Sequence, residues 1–260
     1  MPTNPFDLSG KVALITGANS GIGYGFAEAI AGSGGDLVIW GRRADRNQQA
    51  AEHLAARGGR VIHDAIDVAD EDAQIRGFER AISEMGRIDC VIANAGFVTG
   101  SLMVDMSIKQ YEELNRVAQL GAFVTLREGA KHMLQRSQDG DPGGSLIATG
   151  SLTNFIATAA VGHYAAAKSA VGAMIRNFAL ELGPHGIRAN MICAGLISTE
   201  MLPFGPESAP GQAAAGQIPL GRMGEPADLG GMAVYLMSDA SRYHSGDTIT
   251  VDGGRRINGM

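Results

Sequence analysis

The chain has only two cysteines in 260 residues, too few for a disulfide framework. Cys90 and Cys193 each fall in a short apolar run and read as reduced, buried thiols of a cytoplasmic protein. No lysine- or arginine-rich run occurs and the formal net charge is -6, which argues against a nucleic-acid partner. No apolar run reaches the roughly 18 residues a membrane helix needs, so no membrane partner is expected. The opening Met1-Pro2-Thr3-Asn4-Pro5 lacks a basic region followed by an apolar one, so no secretory leader is expected either. His53 and His63 have no ligand-type neighbours at metal-binding spacing; both read as structural or surface residues, and no metal is expected. Neither an internal repeat nor a linker interrupts the pattern.

What is present is an alternation of short apolar runs and helical stretches. The runs 11–16, 36–40, 61–66, 88–93, 145–149, 187–192 and 248–251 read as buried parallel strands. Helical periodicity lies between them, as in 70–85, where Ile75, Phe78, Ile82 and Met85 form an apolar stripe, and one long helix is expected over about Ile108 to Arg136. The fold class is therefore α/β: one doubly wound, Rossmann-like domain over 1–260, a parallel sheet of about seven strands with helices on both faces. The segment 194–221, rich in Gly, Pro, Ala and Ser after a strand's carboxyl end, reads as a substrate lid.

The first strand runs into Gly17-Ala18-Asn19-Ser20-Gly21-Ile22-Gly23 and then a helix from Tyr24. Strand, glycine turn and helix together make a phosphate cradle: the glycines let backbone N–H groups approach a pyrophosphate, and the helix dipole favours the anion. The spacing is T-G-x-x-x-G-x-G rather than the dinucleotide G-x-G-x-x-G. After the second strand stands Gly41, where an acid would bind the adenosine ribose, followed by Arg42 and Arg43. An arginine there suits a 2′-phosphate, which favours NADP, with NAD the alternative. Asp67-Val68 and Asn94-Ala95-Gly96 follow the third and fourth strands, where an open α/β sheet places its ligands.

Tyr164 and Lys168 lie four residues apart on a helix of small residues, so phenol and ammonium share one face. A cation near a phenol lowers its pKa and makes it a usable acid or base. Ser151 stands just beyond the end of the fifth strand, thirteen residues before Tyr164.

Together these motifs resemble the classical short-chain dehydrogenase/reductase family, from about Leu8 to Gly254. The resemblance implies a nicotinamide cofactor, NADP or NAD, and a small carbonyl or alcohol substrate. It implies a cofactor turn of Gly17, Asn19, Ser20, Gly21, Ile22 and Gly23, with Arg42 at the adenosine end and Asp67, Val68, Asn94, Ala95 and Gly96 along the nucleotide. It implies that Ser151 holds the substrate oxygen, that Tyr164 exchanges the proton, and that Lys168 tunes the phenol and binds the nicotinamide ribose. Ile197 and Thr199 would adjoin the carboxamide. The tail Val251-Asp252-Gly253-Gly254 resembles one that packs in homotetramers; a dimer is the alternative.

Three residues depart from that family's pattern. Ala118 stands where an asparagine often holds a water in the proton relay. Ala194 replaces a proline before the lid. Phe97 replaces a frequent glycine and is expected to narrow the cleft. Two other readings stay open: a 3-oxoacyl-[acyl carrier protein] reductase, which would need a basic docking patch for its acidic partner, and a nucleotide-binding regulator with little catalysis.

Overall fold

The computed structural model describes residues 4–258. Seven strands, β1 (Val12–Thr16), β2 (Asp36–Gly41), β3 (Val61–Ala65), β4 (Cys90–Ala93), β5 (Gly144–Ser151), β6 (Ile187–Ala194) and β7 (Thr248–Val251), form one sheet in the order β3-β2-β1-β4-β5-β6-β7. Every neighbouring pair is parallel. The chain winds outward from β1 to β3, returns to the centre, and winds the other way from β4 to β7. The reversal lies between β1 and β4, the place where an open α/β sheet of this order has its ligand crevice, at the strands' carboxyl ends.

The strand composition follows from burial on both faces. In β1, Ala13 and Ile15 enter one core, whereas Val12 and Leu14 enter the other; β2 divides Leu37 and Ile39 from Val38 and Trp40 in the same way. The first core is covered by α1 (Gly21–Gly32), α2 (Ala44–Ala55) and α8 (Ala227–Met237), through residues such as Phe26, Ile30, Leu54 and Leu229. The second lies under α3 (Glu71–Met85), α5 (Ala122–Gln138) and α6 (Gly162–Leu182), through Phe78, Leu126, Met133 and Ile175.

Four sequence expectations shift. The first helix begins at Gly21 rather than Tyr24, because the glycine turn feeds directly into it. The fourth strand begins at Cys90: Ile88 and Asp89 precede it, and Asp89 accepts a hydrogen bond from Val12 N at 2.9 Å while pairing with Arg87 and Arg136. The long helix is not uniform. It comprises α4 (Ile108–Asn115), a π turn (Arg116–Gly121) and α5, and Ala118 lies within the π turn. The lid segment carries a short helix, α7 (Ala209–Ala215), capped by the Ser208 side chain.

Candidate functional site

Thr16, at the carboxyl end of β1, begins a line of hydrogen bonds across the crevice. Its Oγ1 accepts from the N–H groups of Asn94 and Ala95, both at 3.0 Å. The Asn94 amide donates to Thr16 O at 3.0 Å and to Gly17 O at 3.3 Å. Asn94 Oδ1 accepts from Thr149 Oγ1 at 3.0 Å, and Thr149 O accepts from Lys168 Nζ at 2.8 Å. One connected set of bonds thus runs from the glycine turn through β4 and β5 to α6. Its buried dipoles are all satisfied, so it holds the parts at fixed separation.

The turn has the shape a pyrophosphate needs. Gly17 and Gly21 take φ of +67° and +54°, where a side chain would be strained. A Cβ at Gly23 would penetrate the Gly17 carbonyl and crowd the Asn94 amide, and a Cβ at Gly21 would lie 3.3 Å from Thr199 Cγ2. Ser20 precedes α1 without capping it through its side chain, and the first turn carries no acid, so the helix N-terminus can receive an anion. Ile22 is half-buried against the first core. At the other end, a Cβ at Gly96 would lie 3.9 Å from Lys168 Nζ, so glycine leaves space beside the ammonium. These residues fit a nicotinamide dinucleotide.

The end of β2, where the adenosine is expected, is organised by Asn47, which sequence reading missed. This fully buried side chain donates to Gly41 O at 2.8 Å and Asp64 O at 2.7 Å, and accepts from Asn19 Nδ2 at 2.6 Å. A Cβ at Gly41 would collide with Asn19 and lie 2.6 Å from Asn47 Oδ1. A side chain at position 41 would have to displace the Asn19–Asn47 pair, while Arg42 and Arg43 remain exposed. Arg46 reaches across to Glu200 of the lid segment at 2.8 Å. Asp67 is exposed beyond β3, and buried Val68 is held by Gln74 Nε2, which donates to its carbonyl at 2.7 Å. Ile197 is buried, with Gly224 bridged to it.

At the other end Ser151 closes β5 rather than following it, and pairs in register with Ala194. Its N–H donates to Asn154 Oδ1 at 2.9 Å, its carbonyl accepts from Cys193 Sγ at 2.7 Å, and Asn154 Nδ2 donates to Lys168 O at 2.9 Å. Asn154 and Cys193 were not foreseen as site residues; the only sequence signal was their position beside strand ends. The Ser151 side chain, whose Oγ accepts from Thr153 N at 3.3 Å, lies close enough to the Tyr164 phenol to lower its pKa, and Lys168 Nζ lies 5.7 Å from the Tyr164 ring centroid.

The spacing predicts a lowered phenol pKa; burial reverses the sign. Removal from water pushes the Tyr164 pKa up, against the lowering effect of Ser151. Burial also depresses Lys168 to about 8, because a solvated ammonium is lost on folding. The phenol is thus held protonated, beside a lysine that can release its own proton near neutrality. Ala118 is 1% exposed and clusters with Leu114 and Ala167, with Phe97 and Tyr164 packed against them; methyl groups fill the place where the family's asparagine would stand.

Comparison with known proteins agrees with this geometry. A family model described as enoyl-(acyl carrier protein) reductase matches residues 17–256. L-rhamnose 1-dehydrogenase (NAD(P)(+)) of Azotobacter vinelandii is 32% identical, over 96% of this chain and 98% of its own. The crystal structure of a short-chain type dehydrogenase/reductase from Mycobacterium marinum superposes with a TM-score of 0.89 at 36% identity, covering 96% and 97% of the two chains. A gluconate 5-dehydrogenase from Burkholderia cenocepacia, in complex with NADP and tartrate, gives 0.90 at 29% identity over 96% and 97%. The chain belongs to the short-chain dehydrogenase/reductase family.

Proposed function

We propose that this oxidoreductase moves a hydride between NADP and a carbonyl or secondary alcohol, with Ser151, Tyr164 and Lys168 as its catalytic residues. The observation that carries the reading is the Thr16–Asn94–Thr149–Lys168 line of hydrogen bonds, which couples the dinucleotide turn to the Ser151–Tyr164 pair. Bound at the turn, the cofactor supplies the hydride chemistry. Gly17, Asn19, Ser20, Gly21, Ile22 and Gly23 hold its pyrophosphate, Asp67, Val68, Asn94, Ala95 and Gly96 flank the nucleoside, and Ile197 and Thr199 adjoin the nicotinamide. Ser151 orients the substrate oxygen, Tyr164 gives or takes its proton, and Lys168 binds the ribose and biases the phenol. Residues 1–260 act as one domain, and residues 194–221 close as its lid, a reading supported by the Arg46–Glu200 ion pair.

A secondary alcohol deuterated at the carbinol carbon should deliver its label to C4 of the reduced cofactor. Absence of transfer from every alcohol in a broad panel, despite tight cofactor binding, would instead favour a regulator. NADP preference rests on exposed Arg42 and on Gly41, where an acid would have to displace the Asn19–Asn47 pair. Arg42→Ala should raise KM for NADP by about tenfold and leave KM for NAD unchanged; equal effects on both would reject the 2′-phosphate contact.

No helix among the described residues is long and apolar enough to cross a membrane. A cytoplasmic enzyme is the reading that the two buried free thiols support. Exposed apolar side chains on and near α4 and α6, among them Ile108, Leu120 and Leu180, support assembly into homotetramers or dimers. Light scattering should give a mass of two or four chains; a monomer at micromolar concentration would reject assembly.

A further inference from the structure

We infer that the amino-terminal edge of the sheet carries a second binding site, for a small oxyanion with two or more negative charges, separate from the dinucleotide crevice. It lies in a cavity of about 340 Å³ at the starts of β1, β4, β5 and β6. One strand spans the two places. Gly144 lines the cavity, and Ser151 stands at the far end of β5, roughly 23 Å away at about 3.3 Å per residue. The inference does not depend on the reaction that the crevice performs.

The cations of this cavity outnumber its acids. Lys11, Arg87, Arg136 and Arg188 stand with Asp89, Asp141 and Asp239, and Arg242 adds to the lining. Most of these charges are matched. Asp89 takes Arg87 at 2.6 Å and Arg136 at 3.1 Å, Asp141 takes Arg136 at 2.7 Å, and Asp239 takes Lys11 at 2.6 Å. Arg188 is an exception: it has no carboxylate within 4.0 Å among the described residues. Its guanidinium donates to Ser241 Oγ at 2.7 Å and to Ser238 O at 3.4 Å, both neutral oxygens. Three of its five N–H groups have no partner among the described residues. The side chain is half-buried, and loss of water pushes its pKa down without discharging it. The carboxyl end of α8, which Ser238 caps, supplies about half a negative charge. The rest of the guanidinium's charge has no counterpart in the fold, and a bound anion would supply one.

The guanidinium is also fixed in place. Ser241 Oγ, which accepts from it, donates in turn to Leu236 O and Ser238 O at the end of α8. A planar fork held in this way suits a carboxylate or phosphate in two parallel bonds. Room for such a group exists because glycines line the cavity. Gly143 and Gly186 take φ of +108° and +72°, where a side chain would be strained, and neither carries one to fill the space. Charge number follows from the neighbours. Lys11 and Arg87 share the cavity, and each has N–H donors beyond those its carboxylate uses. A monovalent anion would answer Arg188 alone, whereas a polyvalent one also draws on Lys11 and Arg87. A neutral sugar would leave the guanidinium uncompensated. The ligand class is therefore a small polycarboxylate or phosphate ester, which share this oxyanion chemistry.

The test titrates citrate and inorganic phosphate into the full-length protein by calorimetry at low salt, with and without saturating NADP. One saturable site with Kd below about 1 mM is expected for at least one of the two anions, equally in both conditions. Arg188→Gln should weaken that binding about tenfold. Asp239→Asn removes a competing carboxylate and leaves Lys11 to the ligand, so it should tighten binding about threefold. A purely structural role for Arg188 would not give these opposed responses. Tighter binding of citrate assigns the site to carboxylates and tighter binding of phosphate to phosphate esters; either supports it. Absence of saturable binding by both anions overturns the inference, as does affinity that both substitutions leave unchanged. Binding that NADP abolishes overturns it too, since the anion would then sit in the crevice. If Arg188→Gln does not fold, Asp239→Asn decides alone, and an unchanged or weaker affinity in that variant rejects the site.

Discussion

Replacing Tyr164 with phenylalanine should lower turnover by about 10²–10⁴ while cofactor affinity stays within a factor of two. The substitution removes one oxygen from a half-buried ring and leaves its packing against Leu114, Ala118 and Ala167 intact. What disappears is the proton donor beside Ser151. Because burial keeps the phenol protonated, ketone reduction by the native enzyme should hold its rate through neutral pH. Alcohol oxidation needs the phenolate and should accelerate as pH rises. In the Tyr164→Phe protein that upward slope should vanish along with most of the rate. Steady-state kinetics in both directions between pH 6 and about 10 provide the check. A variant with native turnover, or with a native slope, would remove Tyr164 from the proton transfer.

Lys168→Met should produce a protein that is nearly inactive yet more stable near neutral pH. Lys168 is 4% exposed, and burial moves its pKa from 10.5 to about 8. Holding such an ammonium charged in the native state costs roughly 3 kcal/mol. Loss of its hydrogen bond to Thr149 O returns about 1 kcal/mol of that, so methionine should stabilise the fold by about 2 kcal/mol. For a chain of this size that is a rise in Tm of roughly 5 °C. The pH dependence separates charge from packing. Below about pH 8 native and unfolded chains both carry the lysine proton, and the variant's advantage is constant. From about 8 to 10.5 the native lysine has released its proton while the unfolded one keeps it, so the lysine protein gains stability with pH and the advantage disappears. Cys90, raised to about 12, acts oppositely at alkaline pH in both proteins and drops out of the difference; Cys193, raised to about 11, acts in the same sense but is lowered by Lys168, so its contribution differs between the two proteins. Denaturant titration at pH 7 and 10 measures it; a variant equally destabilised at both would show that the ammonium is well accommodated and that burial does not strain it.

Much of this was legible because it depends on local pattern. Seven apolar runs became seven strands, and doubly buried strands such as Val12–Thr16 have few alternatives to a covered parallel sheet. The glycine turn was readable since Gly17, Gly21 and Gly23 answer constraints of backbone conformation and close approach that no other residue meets there. Tyr164 and Lys168 were readable because a helix fixes which residues share a face. Asn47, Asn154 and Cys193 were not: each acts on a partner far away in the chain or across the sheet, and an isolated asparagine or cysteine in a sequence carries no sign of what it will touch. The π turn at Arg116–Gly121 was equally hidden, as it interrupts a helix whose residues are ordinary helix formers.

The sequence alone determined which groups could do chemistry, through strand order, glycine positions and helical spacing, all properties of the chain's own stereochemistry. Tertiary structure alone decided how those groups behave. Burial raises the phenol's pKa where the spacing foretold a lowering, and lowers the lysine's, because desolvation depends on everything packed around a charge. Long-range hydrogen bonds likewise fix Asn154 beside Ser151 and Asn94 beside the glycine turn, pairings that no local pattern announces. A charge's solvation and an amide's partner are set by neighbours in space, and those exist only once the chain has folded.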